Sequence, residues 1–268
     1  MAIRDIEKYM ALWSVIIYGR TKEADFRFLA IPEDFTPEDR YWASKYIHGS
    51  TVYPEKLKEN PRWSLFKNHK HCVIGVTCMV KDLIGSDRRY DYMTEDASRR
   101  SIYIFVGYVV KIDRYFNSLE IPPYLENLEF FKSLNSNFFQ SLLQSLKGLW
   151  HLKDYQFFNK EINKFEYNVR LNHYDIPELK DKVYYNRYDL NFTPNPNEDR
   201  AFIWPDSPYN RNKLWENSCK YFYLPHQEIS LSLCLGLGQT KDVLEGPFLN
   251  ATTFGINELQ KTSKLIAK

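Results

Sequence analysis

Apolar and polar positions alternate one for one through Ile229–Leu237, ISLSLCLGL. That is the period of a strand with one buried face and one wetter one. Two other runs, His71–Val80 and Ile102–Ile112, are apolar at successive positions. Strands covered on both faces read this way, so these two are predicted to be the long central strands of a sheet. Leu12–Tyr18 and Asp25–Ile31 are β-branched and aromatic-rich, and GRTKEA between them reads as a hairpin loop. Shorter strands are predicted at Trp63–Phe66, Ala201–Trp204 and Phe248–Phe254.

A different period marks the helices. In TPEDRYWASKYIHG, Thr36 is a natural N-cap, Pro37 occupies the first helical position, acids fill the first turn and Gly49 closes the segment. After Pro122-Pro123 comes YLENLEFFKSLNSNFFQSLLQSLKGLW, in which Leu128, Phe131, Phe138, Leu142, Leu146 and Leu149 recur at three- and four-residue steps or their multiples. At about 1.5 Å per residue this amphipathic helix would be about 40 Å long. Further helices are predicted over Lys153–Val169, Asn210–Tyr221 and Asn257–Ala267. Strands toward both ends around a helical middle predict one α+β domain over 1–268, with a mixed or antiparallel sheet and a mainly helical insertion at 116–190.

Charge narrows the functional classes. The chain has 36 basic and 34 acidic side chains, so its net charge draws it neither to nucleic acid nor to an anionic membrane. Its four cysteines, Cys72, Cys78, Cys219 and Cys234, fit neither a disulfide scaffold nor a zinc framework. No apolar run reaches the roughly 18 residues of a membrane helix, and the N-terminal twenty residues lack a cleavage site. The expectation is a cytoplasmic protein that does not engage a membrane. The Lys-, Asn- and Tyr-rich composition points to an AT-rich microbial genome.

Candidate chemistry is sparse. In SDRRYDYMTEDASRR, Arg88, Arg89, Arg99 and Arg100 are forks suited to a carboxylate or phosphate. Asp87, Asp91, Glu95 and Asp96 cancel them within the same stretch, so the loop reads as either a self-paired surface loop or an anion-binding one. HKHC, His69–Cys72, offers zinc-ligand types with Cys78. On a strand, however, the histidines and cysteines face opposite sides, so no metal is expected. LCLGLGQTKD carries Gly236 and Gly238 but lacks the third glycine of the dinucleotide fingerprint and the Lys-Ser/Thr of a P-loop. Glu178–Lys180 has a carboxylate-x-lysine spacing without the companion aspartate of a nuclease. No cofactor is expected, and an enzyme is the less favoured class.

Two features point to a partner chain. Tyr184–Tyr223 holds eleven aromatics, yet its five basic and five acidic residues cancel, which disfavours nucleic acid. Tyrosine and tryptophan are favoured anchors of protein interfaces. Ser133–Leu146 carries no charge at all on the predicted long helix. Uncharged polar side chains tolerate the partial burial of a contact face. The partner-binding candidates are Gln140, Ser141, Gln144, Tyr184, Tyr185, Trp204 and Tyr209. The sequence therefore predicts a non-catalytic interaction or regulatory subunit of a cytoplasmic, prokaryotic multi-protein assembly. The alternative is an enzyme or sensor acting on an anionic small molecule or nucleic acid through Arg88, Arg89, Arg99 and Arg100.

Overall fold

The computed structural model describes residues 13–22, 25–32, 35–58, 60–85, 87–111, 146–147, 150, 200–221, 231–254 and 260–263. The nine strands are β1 (Trp13–Gly19), β2 (Arg27–Ala30), β3 (Arg62–Lys67), β4 (His71–Met79), β5 (Tyr103–Lys111), β6 (Arg200–Pro205), β7 (Leu231–Leu237), β8 (Asn250–Thr253) and β9 (Gln260–Ser263). They form one sheet in the order β2-β1-β5-β4-β3-β7-β8-β6-β9. Helices are α1 (Pro37–Ser50), α2 (Val80–Ile84), α3 (Pro208–Tyr221) and α4 (Thr240–Leu244), with short 3-10 helices at Pro54–Lys58 and Arg88–Met93. The protein is a mixed α+β fold on a mixed sheet.

α1 begins where the sequence says it should. The Thr36 hydroxyl accepts from the Asp39 N–H at 3.2 Å, and the Asp39 carboxylate accepts from the Thr36 N–H at 3.0 Å. This reciprocal box satisfies two donors that a helix start leaves unpaired. Gly49 does not end the helix; it stays helical and lies against Pro247 and Phe248, where a β-carbon would not fit.

β4 and β5 pair along nine positions each, from His71↔Lys111 to Met79↔Tyr103. β3 flanks β4 and β1 flanks β5, all antiparallel. The other half differs: β6 and β7 both run parallel to β8, which lies between them. The chain passes from β6 through α3 to β7, then back through α4 to β8. Leu214 and Trp215 of α3 pack in a cluster with Trp63, Ile74, Val106 and Leu233, on the face that also holds α2, Leu146 and Trp150. Val243 of α4 packs with Ala43 and Ile47 of α1 in a second cluster, with Phe66, Val73, Phe105 and Cys234. Helices thus cover both faces, and this parallel unit sends its two helices to opposite sides of the sheet.

Two expectations are corrected. β7 is buried at all seven positions, not half-buried, because α3 covers one face and α1 with α4 the other. Its alternate serine and cysteine are small enough to be enclosed. Gln260–Ser263, within the segment predicted as a closing helix, is the edge strand β9, paired antiparallel with β6. Of the predicted long helix only Leu146, Lys147 and Trp150 are described, and Leu146 and Trp150 are core residues. The rest of the 116–190 insertion lies outside the described residues.

Candidate functional site

The strand registers place the C-terminal ends of β1, β4, β6, β7 and β8 at one end of the sheet, beside the N-terminal ends of β3 and β5. In open sheets this end of a parallel unit, between helices on opposite faces, is where ligands and partners meet the fold. Here it carries buried charge. Asp206, just past β6, accepts two bonds from Arg211 of α3, Nε at 2.8 Å and Nη2 at 2.7 Å. The Thr252 hydroxyl donates to the same carboxylate at 2.5 Å and accepts the Gly236 N–H at 2.8 Å. Gly236 interrupts the β7–β8 register with φ 84, and a β-carbon there would lie 3.0 Å from the Arg211 guanidinium. Backbone, hydroxyl, carboxylate and guanidinium thereby lock β6, β7, β8 and α3 together.

Arg62, the first residue of β3, is 1% exposed. Its Nη1 donates to the Ser50 carbonyl at 2.8 Å and to that of Val52, and Nη2 to that of Tyr53 at 3.4 Å. These carbonyls end α1 and begin the turn after it, so the cation sits at the negative end of the helix dipole. Burial holds the guanidinium below its ordinary value, while charges including Asp242 and Glu55 offset part of that cost. Nearby Cys234 is pushed up to about 12 by burial and accepts from Ser64 at 3.7 Å. Burial also raises Cys72. Thiols held this far from ionisation are packing groups and not nucleophiles.

The same end carries most of the exposed aromatic surface. Among the described residues five large apolar side chains are exposed: Tyr41, Tyr53, Tyr92, Tyr209 and Phe254. All but Tyr41 lie in connections leaving this end. Tyr53 precedes β3, Tyr92 lies between β4 and β5, Tyr209 follows β6 and Phe254 follows β8. Tyr53 has φ 50, and the Lys241 ammonium stands 5.3 Å from its ring.

The arginine loop is largely self-paired. Arg89 grips Asp87 through Nε at 2.9 Å and Nη2 at 2.8 Å, which holds Asp87 below the usual carboxylate range. Asp96 accepts the Arg100 backbone N–H at 2.9 Å and its Nε at 2.8 Å, and pairs with Arg20 at 3.2 Å. The backbone bond from Arg100 leads the causes that lower its pKa. The guanidiniums of Arg88 and Arg99 are exposed and make no ion pair with a described residue.

At the opposite end, HKHC is divided by the strand. His69 is exposed in the turn before β4, while His71 is buried against Asp39, Nδ1 to Oδ1 at 3.3 Å, between the rings of Phe35 and Trp42. Cys72 and Cys78 lie in the other cluster, across the sheet. Among the described residues no group of three or more His, Cys, Asp or Glu is placed to hold a metal ion. No described helix is long and apolar enough to cross a membrane.

The predicted partner-binding residues divide. Tyr209 is 59% exposed at the start of α3. Trp204 is 2% exposed and packs in the core beside Phe202, so it offers no surface in this structure. Gln140, Ser141, Gln144, Tyr184 and Tyr185 lie outside the described residues. Sequence reasoning missed Arg62, the Asp206–Arg211 pair and the Asp39–His71 pair. Arg62 and the Asp39–His71 pair join elements distant in the chain, while Asp206 and Arg211 are five residues apart and meet across the first turn of α3. No family model matches the chain, and no curated protein matches it.

Proposed function

We propose that this protein is a non-catalytic partner-binding or regulatory subunit, and that the sheet end bearing Tyr53, Tyr92, Tyr209 and Phe254 is its contact surface. The observation that carries this reading is the gathering at that end of four of the five large apolar side chains exposed among the described residues. Tyrosine presents a large, stiff, amphipathic surface, which suits it to anchoring an interface. From β5 to β6 is five strand steps, which at about 4.8 Å each gives a span of roughly 24 Å, the scale of an ordinary interface. The buried clamps beneath would hold these rings in fixed places, so little ordering would be lost on binding. The helix that the sequence predicts over Tyr124–Trp150, with the uncharged residues Gln140, Ser141 and Gln144, is proposed as a second contact. A cytoplasmic, prokaryotic assembly is the setting we propose. The alternative reading, an enzyme or sensor for an anionic ligand, ranks lower because Arg89 and Arg100 are already taken by Asp87 and Asp96.

The test is purification of the tagged full chain from its native host, followed by native mass spectrometry. The wild type should carry a stoichiometric protein partner. Tyr209→Ala with Phe254→Ala should lose it while the melting temperature stays nearly constant, since exposed substitutions usually change stability by less than about 0.5 kcal/mol. A partner retained by that variant removes this sheet end as the contact surface, and a wild type that purifies alone defeats the partner-binding reading.

A further inference from the structure

Arg99 occupies a backbone position that does not suit it. Glu95 and Ser101 form an antiparallel bridge, Asp96 N–H donates to the Arg100 carbonyl at 3.0 Å, and Arg99 N–H donates to the Asp96 carbonyl at 3.0 Å. The chain reverses over Asp96–Arg99, and Arg99 closes the turn at φ 59. Glycine or asparagine is the usual occupant of such a position, because a β-carbon crowds the carbonyl there. The turn is secured without the Arg99 side chain. The Asp96 carboxylate accepts the Ser98 and Arg100 N–H groups at 2.8 and 2.9 Å, together with the guanidiniums of Arg100 and Arg20. The Arg99 side chain is exposed and bonds to no described residue. What the arginine contributes therefore lies outside the fold.

The surroundings favour a negative ligand. In sequence the loop's four arginines and four acids cancel, but the structure adds two cations to it. Arg20 pairs with Asp96, and the Lys147 ammonium lies 3.6 Å from the Tyr90 ring, close enough to Asp87 to act on its carboxyl. With Lys81 and Asp82 of α2, which packs against this loop, and Asp25, which acts on Tyr103 together with Arg20, seven cations (Arg20, Lys81, Arg88, Arg89, Arg99, Arg100, Lys147) stand against six acids (Asp25, Asp82, Asp87, Asp91, Glu95, Asp96), a surplus of one. Arg88 is exposed like Arg99, and Tyr92, also exposed, lies between them in the chain. Asp91 and Glu95 are exposed in the same loop. They would repel a continuous phosphodiester backbone, whereas a protein segment can place carboxylates opposite the arginines and neutral or basic groups opposite the acids.

We propose that Arg99, together with Arg88 of the same loop, binds carboxylate side chains on an acidic segment of a partner protein. This rests on the preceding reading that the partner is a protein, and it names that partner's chemistry. The test uses the full chain and two probes of equal charge, a labelled synthetic Glu/Ser peptide and an oligothymidylate, in wild type, Arg99→Gly and Arg99→Lys. Losing one charge-assisted fork should weaken peptide binding roughly tenfold in Arg99→Gly. Arg99→Lys should fall between the two, and the melting temperature of Arg99→Gly should rise as the backbone relaxes. The proposal is overturned if the wild type does not bind the peptide, if Arg99→Gly binds it equally, if oligothymidylate binds more tightly, or if Arg99→Gly melts lower. Because probe and residue are separate from the aromatic variants, a complex that survives Tyr209→Ala with Phe254→Ala beside a peptide site lost in Arg99→Gly would sink the aromatic surface alone.

Discussion

Arg62 shows how one side chain can fix three segments. Its guanidinium ends α1, sets the turn through Tyr53 and begins β3. Arg62→Met keeps much of the volume but takes the guanidinium donor from the Ser50 and Val52 carbonyls, while the Tyr53 carbonyl keeps the Lys56 N–H at 3.1 Å. Each unsatisfied buried group costs about 1–3 kcal/mol, so a loss of roughly 3 kcal/mol or more in urea denaturation is expected. An unchanged urea midpoint in Arg62→Met would show that water replaces the guanidinium there. Asp39 adds a pH signature. Burial alone would raise its carboxyl, but the Thr36 hydrogen bonds and the charges of His71 and Lys70 outweigh burial and hold it low. A group depressed in the folded state contributes fully above its unfolded value, about 3.9, and loses that contribution as pH falls through the lower folded value. Asp39→Asn should therefore be less stable than wild type at neutral pH, and the gap should narrow below about pH 4. Urea midpoints across that range measure it, and a gap independent of pH would remove Asp39 from the acid response.

At the scale of elements, the β4–β5 pair depends on close backbone approach. Gly75 and Gly107 stand directly opposite on β4 and β5, and the Phe105 ring covers Gly75. A methyl on Gly107 would overlap the Ile74 carbonyl and lie 2.7 Å from the Gly75 Cα, with no flexible group able to move aside. Gly107→Ala should thus reach or exceed about 3 kcal/mol, the upper end of ordinary overpacking. Gly75→Ala meets a ring as well as the Val106 carbonyl and should cost less; the reverse order in denaturation midpoints would refute this account. Much of this layer was legible in the sequence. The Thr36–Pro37 start of α1 and the apolar runs of β4 and β5 are local signals, and local chemistry decides them. β9 was misread because QKTS has little strand character of its own and is held by pairing with β6. The parallel β6–β8–β7 unit was also hidden, since no residue pattern encodes which strands become neighbours. The two described partner-binding candidates looked equivalent in sequence, yet Tyr209 is exposed and Trp204 is core, because its strand turns that side chain onto the α3 face.

The whole molecule argues about its partners through charge and through where its aromatics end up. A nucleic-acid binder without sequence preference combines surplus positive charge with rings free to stack. The formal net charge is +2 on 36 basic and 34 acidic groups, a small surplus over so large a surface. Four rings of the aromatic stretch Tyr184–Tyr223 are described, and three of them are spent on packing. Trp204 and Trp215 are buried and Phe202 is partly buried against the core, which leaves Tyr209 as the exposed ring whose placement is described in that stretch. Base stacking is worth about 1–3 kcal/mol per base, and the nearly balanced charge supplies little of the electrostatic attraction on which such binding depends. Binding of single-stranded DNA or RNA is therefore expected to be no tighter than about 10 µM at 0.15 M salt, with a shallow dependence on salt concentration. Fluorescence anisotropy over a salt series measures both quantities. A sub-micromolar constant at that salt, lost in Tyr184→Ala with Tyr185→Ala, would show that stacking outside the described residues outweighs the charge balance and would overturn the proposed protein-binding role in favour of nucleic-acid binding.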